Sequence, residues 1–169
     1  MLVTYNVQTG GTLEVLQRNA PVSQYGVHNA EYVANLLVRL QSLSTLLDGG
    51  SFSFDSGGSA TGLFDLAAGS TLRFNSNFTL NAGSTFSSTG LIHLASGTLT
   101  LARGSAFAPA TNFSFTGGTL AGADDFNTAS GITTTWTGGN MSGAGTTRVL
   151  TGGTLAINTG NPSLTTRNL

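Results

Sequence analysis

Few residues in this chain are of a type and spacing that could do chemistry. Asp124-Asp125 is the only adjacent pair among seven acidic side chains. Paired carboxylates can act as acid and base in glycoside cleavage, or hold calcium on an exposed face. With Arg103 or Arg148 gathered beside them in one groove, they would make a carbohydrate-cleaving site; on different faces they would not. The pair follows Ala121-Gly-Ala123 and precedes Phe126-Asn127, where the strand pattern breaks. The expectation is therefore a polar turn whose carboxylates cap local backbone groups. His93 falls on the polar side of Leu91-Ile-His-Leu94 and reads as a solvent-facing strand residue, and His28 reads as a loop residue. Their separation makes no metal-ligand pair, and no Ser-His-Asp order stands out. No catalytic, cofactor-binding or metal-binding residue is assigned, and a non-enzymatic chain is expected.

Glycine-rich phrases invite comparison with phosphate-binding loops, but the chain has no lysine, so a P-loop in its standard form is excluded. They do not match the calcium-binding nonapeptide either. Asn-x-Ser/Thr sites occur at Asn77, Asn112 and Asn140, as chance would supply in a chain this rich in Asn, Ser and Thr. Threonines at 98 and 100 and at 133–135 raise an ice-binding alternative, which needs Thr-x-Thr at the same position of successive repeats. β-Propensity and cross-strand packing explain them more simply.

The elements that would position these residues are marked by a recurring phrase of glycine, a small polar residue and a large apolar one. It reads Gly69-Ser-Thr-Leu72, Gly97-Thr-Leu99, Gly117-Gly-Thr-Leu120, Gly138-Gly-Asn-Met141 and Gly152-Gly-Thr-Leu155. Gly97, Gly118 and Gly139 are spaced by 21 residues and 21 again. Such a period marks a solenoid whose single turn cannot bury its apolar face alone. Short alternating segments accompany it, among them Ser51–Phe54, Leu63–Leu66, Thr71–Phe74, Leu91–Leu94, Thr98–Leu101, Phe113–Phe115, Thr146–Leu150 and Thr154–Ile157. Each has one apolar and one polar face. A turn of this length divides into about three short strands, so the expected fold is all-β, a right-handed parallel β-helix. Leu72, Leu99, Leu120, Met141 and Leu155 would stack into one inward ladder beside the ten phenylalanines. An antiparallel sandwich is the competing architecture.

Three regions are expected. Residues 1–48 hold five of the thirteen charges and three of the 24 glycines. Gly10-Gly-Thr-Leu-Glu-Val15 spells a first strand there. Asn29 to Leu47 carries apolar Val33, Leu36, Leu37, Leu40, Leu43 and Leu47 at helical spacing, and reads as an amphipathic helix capping the solenoid's open end. Residues 49–160 hold the repeats, and 161–169 read as a C-terminal tail.

Charged residues make up 8% of the chain and its net charge is −1, which gives no electrostatic reason to expect nucleic acid. Cysteine is absent, which excludes disulfides and thiolate metal sites. No apolar run approaches the ~20 residues of a membrane span, so no membrane insertion is expected. Met1-Leu-Val-Thr-Tyr5 lacks the basic and apolar regions of a secretory signal, so an exported chain would be a mature piece or fragment.

Trp136 to Ile157, with its Gly-Gly-Asn-Met and Gly-Gly-Thr-Leu phrases, resembles the repeats of large secreted bacterial β-helix proteins, the filamentous-haemagglutinin-like and autotransporter-adhesin-like surface proteins. The resemblance is one of repeat style over about 49–160. It implies an extracellular or cell-surface stalk or adhesin, with no cofactor, and with a host or cell-surface glycan or protein as partner. End-to-end or edge self-association is a further expectation, since solenoid ends expose strand edges. A carbohydrate-active β-helix enzyme and an ice-binding solenoid are the alternatives.

Overall fold

The computed structural model describes residues 12–16, 44–48 and 50–169. β1 (Thr12–Leu16) and β2 (Ser44–Asp48) precede β3 (Ser51–Phe54) and β4 (Gly58–Ala60). The next turn of chain holds β5 (Leu63–Leu66), β6 (Thr71–Phe74) and β7 (Phe78–Asn81); the one after holds β8 (Thr85–Ser88), β9 (Leu91–Leu94) and β10 (Thr98–Ala102). Then come β11 (Phe113–Phe115) and β12 (Thr119–Gly122), followed by β13 (Phe126–Thr128) and the long β14 (Thr133–Ser142). β15 (Thr147–Val149) and the equally bent β16 (Thr154–Thr165) close the series.

Every ladder between these strands is parallel, which rules out the sandwich and makes the fold an all-β parallel solenoid of about 5 turns. Three faces result. The first runs β1-β2-β5-β8, then through an isolated bridge at Phe107 to β13-β15. The second is β3-β6-β9-β11 and the first half of β14; the third is β4-β7-β10-β12 and its second half. β16 lies along both halves of β14, with a register shift at the corner between Trp136 and Gly138.

Registers stack like on like. On the second face Phe54, Phe74, Leu94, Phe115, Trp136 and Ile157 follow one another at steps of 20, 20, 21, 21 and 21 residues. Phe54 and Phe74 stack at 5.4 Å, and Phe115 and Trp136 at 5.9 Å with planes 4° apart. Phe64, Phe86, Phe107 and Phe126 form a second aromatic column, on the first face. Such columns bury large apolar area with favourable offset or edge contacts.

Three expectations are corrected by these registers. Leu99, Leu120 and Met141 do stack on one another, but on the third face, whereas Leu72 and Leu155 belong to a column on the second. The Gly-Thr-Leu phrase opens strands at two different corners, so its leucines divide between two ladders. Residues 44–47, read as the end of a helix, form strand β2, because Thr45, Leu46 and Leu47 pair with Phe64, Asp65 and Leu66; residues 29–43 of that expected helix lie outside the described residues. Residues 161–165, read as tail, continue β16 and pair with Gly138 to Ser142.

The corner between the second and third faces explains the glycine in three of the five occurrences of the phrase. Gly97, Gly118 and Gly139 have φ of 69°, 77° and 84°, and they sit one above another. A Cβ on Gly118 would collide with the Gly97 carbonyl and with Ser96; one on Gly139 would come within 2.6 Å of the Gly118 carbonyl and of the Phe115 ring. Only glycine accepts both the left-handed φ and the backbone beneath it. Gly118→Ala should therefore lower stability by about 2–3 kcal/mol, since strain and a backbone clash act together. Urea unfolding followed by circular dichroism checks this, with Gly104→Ala, at positive φ but in open space, as the milder comparison.

Candidate functional site

The residues singled out for chemistry do meet. Turns leaving the third face place Arg103, Asp124-Asp125, Thr146 and Arg167 over one another on successive rungs. Asp124 Oδ2 accepts from the main-chain N–H of Arg103 and, at 3.2 Å, of Gly104, one rung earlier. Asp125 Oδ1 accepts from the N–H of Thr146, one rung later, at 2.8 Å, and Oδ2 forms an ion pair with Arg148. The two carboxylates thus cap backbone as expected, but the backbone of the rungs on either side and not of their own turn.

Two arginines complete the corner. Arg103 Nε donates to the Ser84 carbonyl and Nη1 to the Ala106 carbonyl, both at 2.9 Å, and its guanidinium lies 5.5 Å from the Phe107 ring centre. Arg167 is only 3% exposed. Its Nε donates to Thr147 Oγ1 at 2.9 Å, and its terminal nitrogens donate to the carbonyls of Ser142, Asp124 and Thr146. The fork of donors suits four acceptors converging from two rungs. Sequence reasoning overlooked Arg167. The repeat arithmetic offered a signal, since 167 lies 21 residues after Thr146 and 43 after Asp124, and so falls over the same corner.

Charge in this cluster is set by these partners. The Thr146 N–H, then the Arg148 guanidinium, hold the Asp125 carboxyl below the ordinary carboxylate range, so Asp125 is an anion and no proton donor at neutral pH. Burial lowers both Arg103 and Arg167 below the usual arginine range, opposed by the Asp124 charge at the first and by Asp125 and then Asp124 at the second. The corner can hold charge and bind rungs together. A general acid with a raised pKa, which glycoside cleavage requires, is not what Asp125 provides.

His93 occupies the outer side of the second face with Arg73, one rung before it. Its Nε2 is 2.8 Å from Thr116 Oγ1. Burial, aided by Arg73, holds the imidazole below its ordinary range. Arg73 donates to Asn75, which donates to Asp55, each at 2.6 Å. This is a chain of polar contacts along one corner; Asp124 and Asp125 lie at another. Among the described residues no three His, Cys, Asp or Glu side chains could hold a metal ion together. His28 lies outside the described residues.

The third face is of a different character. Asn77, Thr98, Thr119, Asn140 and Ser163 form one outer column. Ser59, Thr79, Thr100, Ala121, Ser142 and Thr165 form a parallel one. Neither contains a charged residue. The grid has steps of ~4.8 Å between rungs and ~6.6 Å along a strand. Asn77 and Asn140 of the candidate glycosylation sites lie in it, and their side-chain carbonyls already accept, from the Thr98 N–H at 2.9 Å and from the Ser163 and Thr165 hydroxyls at 3.1 Å. Asn112 does the same for the Thr133 N–H at 2.9 Å, on the second face. Thr98/Thr100 and Thr133/Thr135 therefore lie on different faces and do not form one array.

Two outcomes test the corner. Arg167→Met should cost about 2–3 kcal/mol in chemical denaturation, because the buried Thr147 hydroxyl and three half-buried carbonyls lose the guanidinium's hydrogen bonds, and Arg167→Lys should recover only part of it. For Asp125 the folded-state pKa is depressed, so its contribution is present above the unfolded value of about 3.9 and is lost as pH falls through the folded one. Urea melts below about pH 4 should show wild type losing stability faster than Asp125→Asn. No protein-family model, curated protein or solved structure matches this chain; its own structure is a parallel β-solenoid of about 5 turns, consistent with a β-helix repeat protein.

Proposed function

We propose that this chain is a structural and adhesive segment of a bacterial surface or secreted protein, presenting an elongated β-helical surface and not a catalytic site. One observation carries the reading: the outer surface is sorted by rung position. Neutral hydroxyl and amide side chains repeat in two columns on the third face, while the described charges fall on the other faces and the corners. A neutral, hydrogen-bonding grid fits a neutral glycan or a polar protein surface as ligand, with donors and acceptors repeating at the rung spacing. The acidic pair supports the structural reading as well, since its oxygens serve the backbone of adjacent rungs.

The same grid favours one second reading, an ice-binding face, because Thr and Ser hydroxyls at fixed spacings can order water. Its pattern is Asn-x-Thr, Thr-x-Thr, Thr-x-Ala, Asn-x-Ser and Ser-x-Thr over successive rungs, so only one rung has Thr at both positions.

Both readings are tested with wild type and Thr100→Arg/Thr119→Arg, outward positions where folding stability should change by less than about 0.5 kcal/mol per site. Immobilised wild type should retain at least one member of a panel of neutral glycans and matrix proteins, and the double variant should lose it. Retention of nothing, or retention indifferent to the arginines, sinks the adhesive reading of this face. Thermal hysteresis that disappears in the variant would instead establish the ice-binding reading.

A further inference from the structure

One outer column of the second face holds two basic side chains in succession. Ser53, Arg73, His93 and Ser114 follow one another there on successive rungs. Arg73 and His93 are direct register partners on β6 and β9, and both are half-buried. A guanidinium opposite an imidazole resists a second positive charge unless an anion joins them. Arg73 also differs from the other described arginines. Arg103, Arg148 and Arg167 donate from their terminal nitrogens to carbonyls or to Asp125. Arg73 donates through Nε, to Asn75 Oδ1, and among the described residues its terminal nitrogens meet no acceptor. Asn75 in turn donates to Asp55, which fixes the guanidinium with its two-nitrogen end unused and accessible to solvent. His93 is anchored through Nε2 on Thr116 Oγ1.

The geometry points to a binding site for the carboxylate of an acidic saccharide, held between the terminal nitrogens of Arg73 and the imidazole of His93. Two parallel N–H groups of a guanidinium match the two oxygens of a carboxylate. The rung spacing of ~4.8 Å sets the imidazole beside them. Ser53 and Ser114 flank the pair in the same column and offer donors and acceptors to sugar hydroxyls. None of the described residues' exposed large apolar side chains adjoins the pair, so a protein partner would lack an apolar centre there. The Asn75 amide stands between Arg73 and Asp55, whose carboxylate offsets the guanidinium. The site therefore gains net positive charge only when His93 takes up a proton. Arg73 is the charged group that faces His93; β11 brings Ser114 and the corner brings Thr116, neither of which titrates. Burial, then Arg73, hold the imidazole below its ordinary range in the free protein, and a bound carboxylate acts in the opposite sense. Binding is thus coupled to proton uptake, and affinity rises as pH falls. This site stands or falls apart from the neutral grid of the third face.

The test is calorimetry of the full chain at low ionic strength, with a short oligogalacturonate as probe and its methyl ester as the uncharged comparison. Wild type should bind the acid at about pH 5, at least about tenfold more weakly at about pH 8, and should not bind the ester. Arg73→Gln should weaken binding at least about tenfold, and His93→Gln should abolish the pH dependence. Arg148→Gln removes the same charge from another corner and should bind as wild type does. Circular dichroism should be unchanged in all three, since these side chains lie on the outer surface. An independent readout is the His93 imidazole titration by NMR, separated from His28 with the His93→Gln variant. Its pKa should rise when the acid is added and stay in place with the ester. Failure of wild type to bind the acid at either pH, or equal binding of the ester, overturns the proposal. So does Arg73→Gln binding like wild type, an equal loss in Arg148→Gln, a His93 titration indifferent to the acid, or tighter binding of polyglutamate of the same length.

Discussion

Parallel pairing in register between successive rungs is the constraint on which the rest of this molecule depends. Once Phe54 must sit on Phe74, and Leu94 on Phe115, the second face must return to the same place after 20 or 21 residues, and changes in corner length absorb the unequal steps on the other faces. A slip of one residue would send every inward side chain outward. The glycine column at the corner is part of the same constraint, because backbone passes directly over backbone there. Side chains beyond hydrogen have no room on Gly118 or Gly139.

Stacking like on like also decides what the interior is made of. Aromatic columns on the first and second faces make up much of the core through Phe126 and Trp136. Toward the last rung the first-face column changes to Thr147, and Thr128 and Thr134 share a hydrogen bond inside at 2.8 Å. Arg167 then closes this part of the interior with donors to three carbonyls and a hydroxyl. Over this corner hydrogen-bonded polar groups take the place of the apolar stack.

The acidic pair shows how a constellation that could be chemical can be structural instead. Asp124, Asp125, Arg103 and Arg148 converge because stacked rungs bring positions 21 to 23 residues apart together. What converges is then used: N–H groups at the corner, which no strand ladder satisfies, find their acceptors in the carboxylates. On the third face Asn77 serves the Thr98 N–H in the same way, and the outer columns carry neutral side chains.

The strands were legible in the sequence because alternation is a local property. Leu63-Phe-Asp-Leu66 and Thr71-Leu-Arg-Phe74 declare one buried and one exposed face without reference to anything else, and the 21-residue spacing of Gly97, Gly118 and Gly139 declares the rung. The solenoid class follows from these two facts. Which strand joins which face did not follow, because that depends on corner lengths and on pairing across a whole turn. Leu72 and Leu99 open with the same phrase yet lie on different faces. Residues 44–47 satisfy a helical period and a strand equally well until Phe64 and Leu66 are there to pair with. The repeat arithmetic could place Arg167 over the Asp124 corner, but the acceptors it meets there were out of reach for the same reason. Alternation and turn chemistry are written along the chain, whereas the neighbours that give a side chain its role lie one rung away and exist only once the rungs have stacked.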